Sequence, residues 1–131
     1  MQLQRGIKLL DEKIGSGAEA RKGDRVVFTL RIFLHHGDEV PLDERQMEQV
    51  LSTHNVRTEE GRQIIDRVVT LGKREVVAAV EYSLIGMKAG GYRKVKAGPH
   101  LAYRDQGIPG LIPPSALLIL EMWLREIQAQ S

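Results

Sequence analysis

There is no cysteine among the 131 residues. That absence excludes disulfides, thiolate metal sites and a cysteine nucleophile. It leaves the redox compartment open, and a cytoplasmic location suits a chain that holds together without covalent staples. Aromatic residues are scarce, with two Phe, three Tyr and one Trp. No stretch approaches the roughly 20 apolar residues of a membrane span. The N-terminal MQLQRGIKLLDEK soon turns charged, and is expected to be neither signal peptide nor anchor. Charge of one sign is also lacking: a net +2 predicts no nucleic-acid binding by bulk electrostatics. What is present is ordinary for a globular domain, 42% hydrophobic and 27% charged. A chain of this length holds a single core, so residues 1–131 read as one domain.

The few prolines are placed tellingly. Three of them, with two glycines, fall in the eight residues Gly107 to Pro114. Such a run is neither helix nor central strand and fixes an irregular loop. Yet it carries Leu111 and Ile112, which a solvated loop has no use for. A stiff loop that presents Tyr103 and an Ile-Pro-Pro turn reads as the wall of a pocket.

Along the chain, residues 2 to 14 alternate loosely as a first strand, and Gly15-Ser16-Gly17 reads as a turn. Lys22-Gly23-Asp24 is a second turn that launches a strand over Arg25 to Leu34, rich in β-branched and aromatic residues. His35 to Asp38 reads as a hairpin turn, and Glu39-Val40 starts the return until Pro41 interrupts it. Met47, Val50 and Leu51 recur at helical spacing, which predicts a short helix within Leu42 to His54, with Asp43 as its cap. Asn55 to Gly61 reads as a polar loop and Ile64 to Leu71 as a strand. Val76 to Met87 reads as an amphipathic helix with Glu75 at its positive end. Strands follow at Tyr92 to Ala97 and Ala116 to Ile127. The pattern is an antiparallel α+β layout.

Three blocks carry a family signature: GSGAEARKGDRVVFTL, then LGKREVVAAVEYSLIGMKAGGYRKV, then GPHLAYRDQGIPGLIPPSALLILEMWLREI. In order and spacing they resemble the FKBP-type peptidyl-prolyl isomerases. The resemblance covers a core of about residues 15–127, interrupted by an insertion at about 41–66. It implies an antiparallel sheet wrapped around one short helix, with the inserted segment after the first hairpin, and a shallow apolar pocket for a proline ring. It assigns Tyr103 as the hydroxyl donor to a ligand carbonyl. It places Val76 and Val77 at the pocket wall, the second also offering a backbone N–H, with Leu111 and Ile112 from the loop.

Other positions depart from the family pattern. A tyrosine is replaced by Leu30, a Phe-Asp pair by Val40-Pro41, the tryptophan floor by Val80 and a phenylalanine on the last strand by Leu120. Another phenylalanine position falls near Arg67, and Ile108 stands where a histidine is frequent. The resemblance thus implies an isomerase of X-Pro bonds, with low turnover because the aromatic cage is largely replaced. It needs no nucleophile, metal or cofactor. Its partners are proline-containing peptides or protein clients, with weak macrolide binding, and neither nucleic acid nor membrane.

Each of these residues has a plainer reading. Tyr103 can be a buried hydroxyl satisfied at a loop base, and the aliphatics can be ordinary core. His35-His36 lacks a third metal ligand at suitable spacing. Arg93, Lys94 and Lys96 read as the solvated face of a strand, without the aromatics of a nucleic-acid platform. Trp123 is expected to face away from the pocket side. The loss of aromatics at Leu30, Val40, Val80 and Leu120 favours an alternative. The chain would then be a catalytically inactive binding or chaperone module that holds a protein partner through the cleft or the insertion. Retention of Tyr103 and of the Ile-Pro-Gly-Leu-Ile-Pro-Pro loop favours the isomerase.

Overall fold

The apolar alternation of the two longest strands organises the molecule. A computed structural model describes residues 2–40 and 54–128. The expected helix within Leu42 to His54, with Met47, Val50 and Leu51, therefore lies outside the described residues except for His54, which begins a strand.

Strand β4 spans Arg25–Leu34 and β9 spans Leu118–Gln128. They pair antiparallel along their whole length, with a bulge between Val27 and Phe28. Val26, Phe28, Leu30 and Ile32 on one strand and Leu118, Leu120, Met122 and Leu124 on the other are buried on a common face. That period of two is what a sheet packed on one side requires. Trp123 falls on the opposite face, as expected, opposite Tyr92 and stacked obliquely on its ring.

The remaining strands are β1 (Gln2–Gln4), β2 (Ile7–Lys13), β3 (Ser16–Glu19), β5 (His54–Glu59), β6 (Arg62–Thr70), β7 (Lys88–Ala89) and β8 (Tyr92–Ala97). The main sheet has seven strands in the order β1-β2-β8-β9-β4-β6-β5, antiparallel at every pairing, and β3 pairs with β7 beside it. Helix α1 (Ala78–Leu84) packs on β1, β8 and β9, burying Ala79, Val80, Ser83 and Leu84. The architecture is the expected α+β one, a mostly antiparallel sheet with one short helix among the described residues.

Several expectations need correction. Residues 2 to 14 hold two strands paired with each other, β1 and β2, rather than one. Asn55 to Gly61 is not a loop: it is β5 and the turn of a hairpin with β6. Glu60 and Gly61 both have positive φ (51° and 78°), the geometry of a two-residue turn that matches strand twist. Gly15-Ser16-Gly17 is not a free turn, because Ser16 enters β3 and pairs with Ala89. Arg93 does not lie on a solvated face with Lys94 and Lys96. It shares the inward face with Val95 and Ala97, and its Nη1 donates to the carbonyls of Ser83 and Ile85 (2.9 and 3.1 Å). Its Nε donates to Glu12 Oε2 at 2.8 Å.

The last carbonyls of a helix lack intrahelical partners and carry its partial negative charge, so a guanidinium satisfies both needs. Arg93→Ala is expected to cost about 1–3 kcal/mol, the cost of leaving half-buried acceptors and Glu12 without their donor. Urea unfolding measures it.

Candidate functional site

The loop after β8 is built by its own backbone. Pro99–Leu101 forms a single 3-10 turn, after which Arg104 N–H donates to Pro99 C=O (2.7 Å) and Gly107 N–H to Tyr103 C=O (2.9 Å). Ile108 and Ile112 exchange two hydrogen bonds of 2.8 Å, closing a tight loop around Pro109, Gly110 and Leu111. Gly107 has φ +59°, and a side chain there would stand 2.2 Å from the Ile112 carbonyl oxygen. Only glycine fits. Ser115 N–H donates to Arg104 C=O and its hydroxyl to Asp105, tying the far end back. The loop is a fixed platform for Tyr103, with Ile108 and Ile112 buried.

Two carboxylates shape the approach to α1. Glu75 Oε1 accepts from Thr70 N–H (2.8 Å), and Glu81 Oε1 accepts from Gly72 N–H (2.6 Å). They hold the segment that carries Val76 and Val77 against the end of β6. Val77 is the N-cap residue of α1, and its carbonyl accepts from Val80 and Glu81 N–H groups. The helix is shorter at both ends than Val76 to Met87.

Leu30, Val40, Val80, Ile112 and Leu120 are buried members of one core cluster, and Val76, Val77, Tyr103 and Leu111 are half-buried and packed against it. These residues belong to the single core that the buried side chains share, and Pro41 lies outside the described residues.

A residue not counted among the site residues from sequence adds to this group. Arg67 pairs across the sheet with Phe28, so its side chain shares the inward face, and it is only 1% exposed. Its Nη1 donates to the carbonyl of Leu30 at 3.1 Å. Asp66, its chain neighbour, points to the opposite face and accepts from Thr29 Oγ1 at 2.9 Å. Burial lowers the Arg67 pKa to about 10, opposed by Tyr103 and Asp66. It therefore keeps its charge at neutral pH. Burial pushes Tyr103 up to about 12, and the Arg67 charge pulls the other way. A signal for Arg67 was there: an adjacent Asp-Arg pair within the otherwise apolar run Ile64 to Leu71.

The family model described as FKBP-type peptidyl-prolyl cis-trans isomerase matches residues 17–125. The chain belongs to this FKBP family. FK506-binding protein 4 of Chaetomium thermophilum is 30% identical over 128 residues, covering 98% of this chain and 23% of the relative. The 39 kDa FK506-binding nuclear protein of Drosophila melanogaster is 26% identical over 122 residues, covering 93% and 29%. Human peptidyl-prolyl cis-trans isomerase FKBP9 is 34% identical over 67 residues, covering 47% and 12%. The chain spans about a quarter of the length of the first two.

The surroundings of Tyr103 make a testable statement. Its folded pKa, about 12, lies above the value near 10 of an unfolded tyrosine. Between those pH values the unfolded chain loses this proton and the folded one keeps it, so stability falls as pH rises through that window. Tyr103→Phe is expected to flatten the fall, and unfolding curves at several alkaline pH values measure it.

Proposed function

We propose that the chain is a slow peptidyl-prolyl cis-trans isomerase acting on X-Pro bonds of peptides or protein clients. The observation that carries this reading is Tyr103, a hydroxyl on a hydrogen-bonded loop packed against the apolar core. Rotation about an X-Pro bond is slow because the planar amide must give up its resonance. In the twisted amide the carbonyl loses polarity and the nitrogen pyramidalises. A dry, aliphatic wall from Val76, Val77, Leu111 and Ile112 favours that state over the planar one. Fixed donors, the Tyr103 hydroxyl and the Val77 backbone N–H, hold the flanking carbonyls without reorganising. No bond is made or broken by the protein.

The aliphatic replacements set the speed. Ring-on-ring contacts are worth about 0.5–1.5 kcal/mol each beyond area, and roughly 1.4 kcal/mol is tenfold in rate. Turnover below that of an aromatic-lined relative follows. Tyr103→Phe should lower the protease-free isomerisation rate of a short X-Pro peptide while changing neutral-pH stability by about 1 kcal/mol or less. An unchanged rate would remove the hydroxyl from the mechanism.

Buried Arg67 and the aliphatic residues at Leu30, Val40, Val80 and Leu120 favour a second reading, a binding or chaperone module that holds a proline-containing client without turning it over. The two part on that assay, since a pure binder slows or leaves unchanged the rate it is added to. Weak macrolide binding is compatible with both. A cytoplasmic setting is part of the proposal. No helix among the described residues is long and apolar enough to cross a membrane.

A further inference from the structure

Three of the six aromatic residues, Phe33, Tyr92 and Trp123, stand on the outer face of the main sheet. Each alternates along its strand with buried core residues and is itself half-buried. Tyr92 lies opposite Trp123 with ring centroids 5.1 Å apart. The Arg31 guanidinium sits over the Phe33 ring, 5.1 Å from its centre. A sheet face that meets only water is built mainly from polar residues.

The same face carries lysines. Lys94 and Lys96 lie two residues apart on β8, and Lys8 of β2 stands directly opposite Lys96. Along the sequence this cluster has few aromatics beside it. Across the sheet, β9 and β4 supply them: Trp123 neighbours Tyr92, and Ile119 lies between Lys96 and Phe33. Like charges placed opposite each other destabilise a strand pair, and a bound anion relieves them.

None of the three lysines has an ion-pair or hydrogen-bond partner among the described residues. The nearby acids are engaged elsewhere. Glu121 accepts from the Tyr92 hydroxyl at 2.5 Å. Asp11, opposite Lys94 in register, accepts from the Glu12 N–H at 2.8 Å. The lysine-bearing strands β2 and β8 lie beyond β9 from β4, the strand whose hairpin leads into residues 41–53.

We propose that this outer face binds single-stranded nucleic acid. Unstacked bases lie on Trp123 and on the Phe33–Arg31 pair, and Lys8, Lys94 and Lys96 hold the phosphates. Every base has a flat face, so such rings accept bases with little regard to sequence. A duplex hides those faces, which favours the single strand. An acidic protein segment would satisfy the lysines but leave the rings without flat partners. The face points away from the core on which Tyr103 packs, and the proposal is independent of the isomerase reading.

The experiment titrates the whole chain with a short oligothymidylate. Trp123 is the only tryptophan, so its fluorescence reports from the face itself. Binding at low salt is expected, with quenching of Trp123. The double variant Lys94→Ala, Lys96→Ala should weaken binding about tenfold and reduce the slope of log K against log salt by about 1.4, roughly 0.7 per phosphate contact. Phe33→Leu should weaken it by about fivefold or more and leave that slope unchanged. Lys96 is exposed and faces a like charge, so its replacement does not threaten the fold. No binding at low salt overturns the site. Binding that leaves Trp123 fluorescence unchanged, or that the lysine variant does not weaken, overturns it too. Equal affinity for a thymidine–adenine duplex contradicts base stacking. Equal affinity and quenching with a polyglutamate peptide assign the face to an acidic protein segment and overturn the nucleic-acid reading.

Discussion

FK506 is expected to bind this chain at least about a hundredfold more weakly than it binds FK506-binding protein 4 of Chaetomium thermophilum, a factor of roughly 2.7 kcal/mol. The aromatic cage accounts for it. In the proposed site Leu30, Val40, Val80 and Leu120, which are buried in the core, take the place of cage aromatics, so they offer small, curved contacts where rings would offer flat ones. Each lost ring contact is worth about 0.5–1.5 kcal/mol beyond area, so two or three suffice. Arg67 adds to the loss, because an apolar macrolide laid over a buried guanidinium strips it of solvent and returns no partner. Calorimetric titration of both proteins under one buffer measures the ratio. Affinity within tenfold of the relative would show that an aliphatic cage is adequate, and turnover near the family's level would then be expected as well.

The second large effect is on stability, and its size depends on the replacement. Arg67→Ala is expected to destabilise by about 3–5 kcal/mol, because it opens a hole and leaves the Leu30 carbonyl without its Arg67 donor. Arg67→Met fills most of the volume with apolar atoms and removes the cost of burying charge. It still leaves the Leu30 carbonyl without that donor, so it is expected to destabilise by less, about 1–3 kcal/mol.

The pH behaviour follows from the lowered Arg67 pKa. With a folded value of about 10, below the ordinary range of arginine, the guanidinium is charged in both states at all lower pH. The cost of burying it is therefore constant from acid through neutral pH, and is relieved only as pH rises from the folded value toward the unfolded one. The cost of Arg67→Met should be flat across the neutral range. Chemical unfolding of the three proteins at two neutral pH values checks both statements. Equal loss in Ala and Met variants would mean that refilling the volume offsets nothing.

Much of the scaffold was legible because its strands are strongly patterned. Arg25 to Leu34 is rich in β-branched and aromatic residues, and β4 occupies the same span. Tyr92 to Ala97 is bounded by Gly90-Gly91 and Gly98, which fixed β8 at both ends. The loop at Gly107 to Pro114 declared itself through residues that permit little else. β5 was not legible: in HNVRTE only Val56 is apolar, and a strand at the sheet edge needs no alternation to be held by its neighbour. β3 was hidden for a related reason, since Ser16-Gly17 is a turn signal by composition but is captured by the short β7.

At the candidate site, the aliphatics and Tyr103 were named by resemblance alone. It took the structure to show what the chain does with Arg67, whose inward direction depends on its register opposite Phe28. Arg93 was misplaced for the same kind of reason. Its alternation with Val95 and Ala97 points it at the end of α1, where carbonyls rather than water receive it.

The most direct test of the account is the rate at which the chain, added at catalytic concentration, interconverts cis and trans Ala-Pro in a short peptide. Exchange NMR measures it without a protease. The account predicts clear acceleration over the spontaneous rate, slower than the Chaetomium thermophilum relative on an Ala-Pro peptide, and reduced by Tyr103→Phe. A rate equal to the spontaneous one at every protein concentration, with the chain folded, would contradict it and leave a binding module in its place.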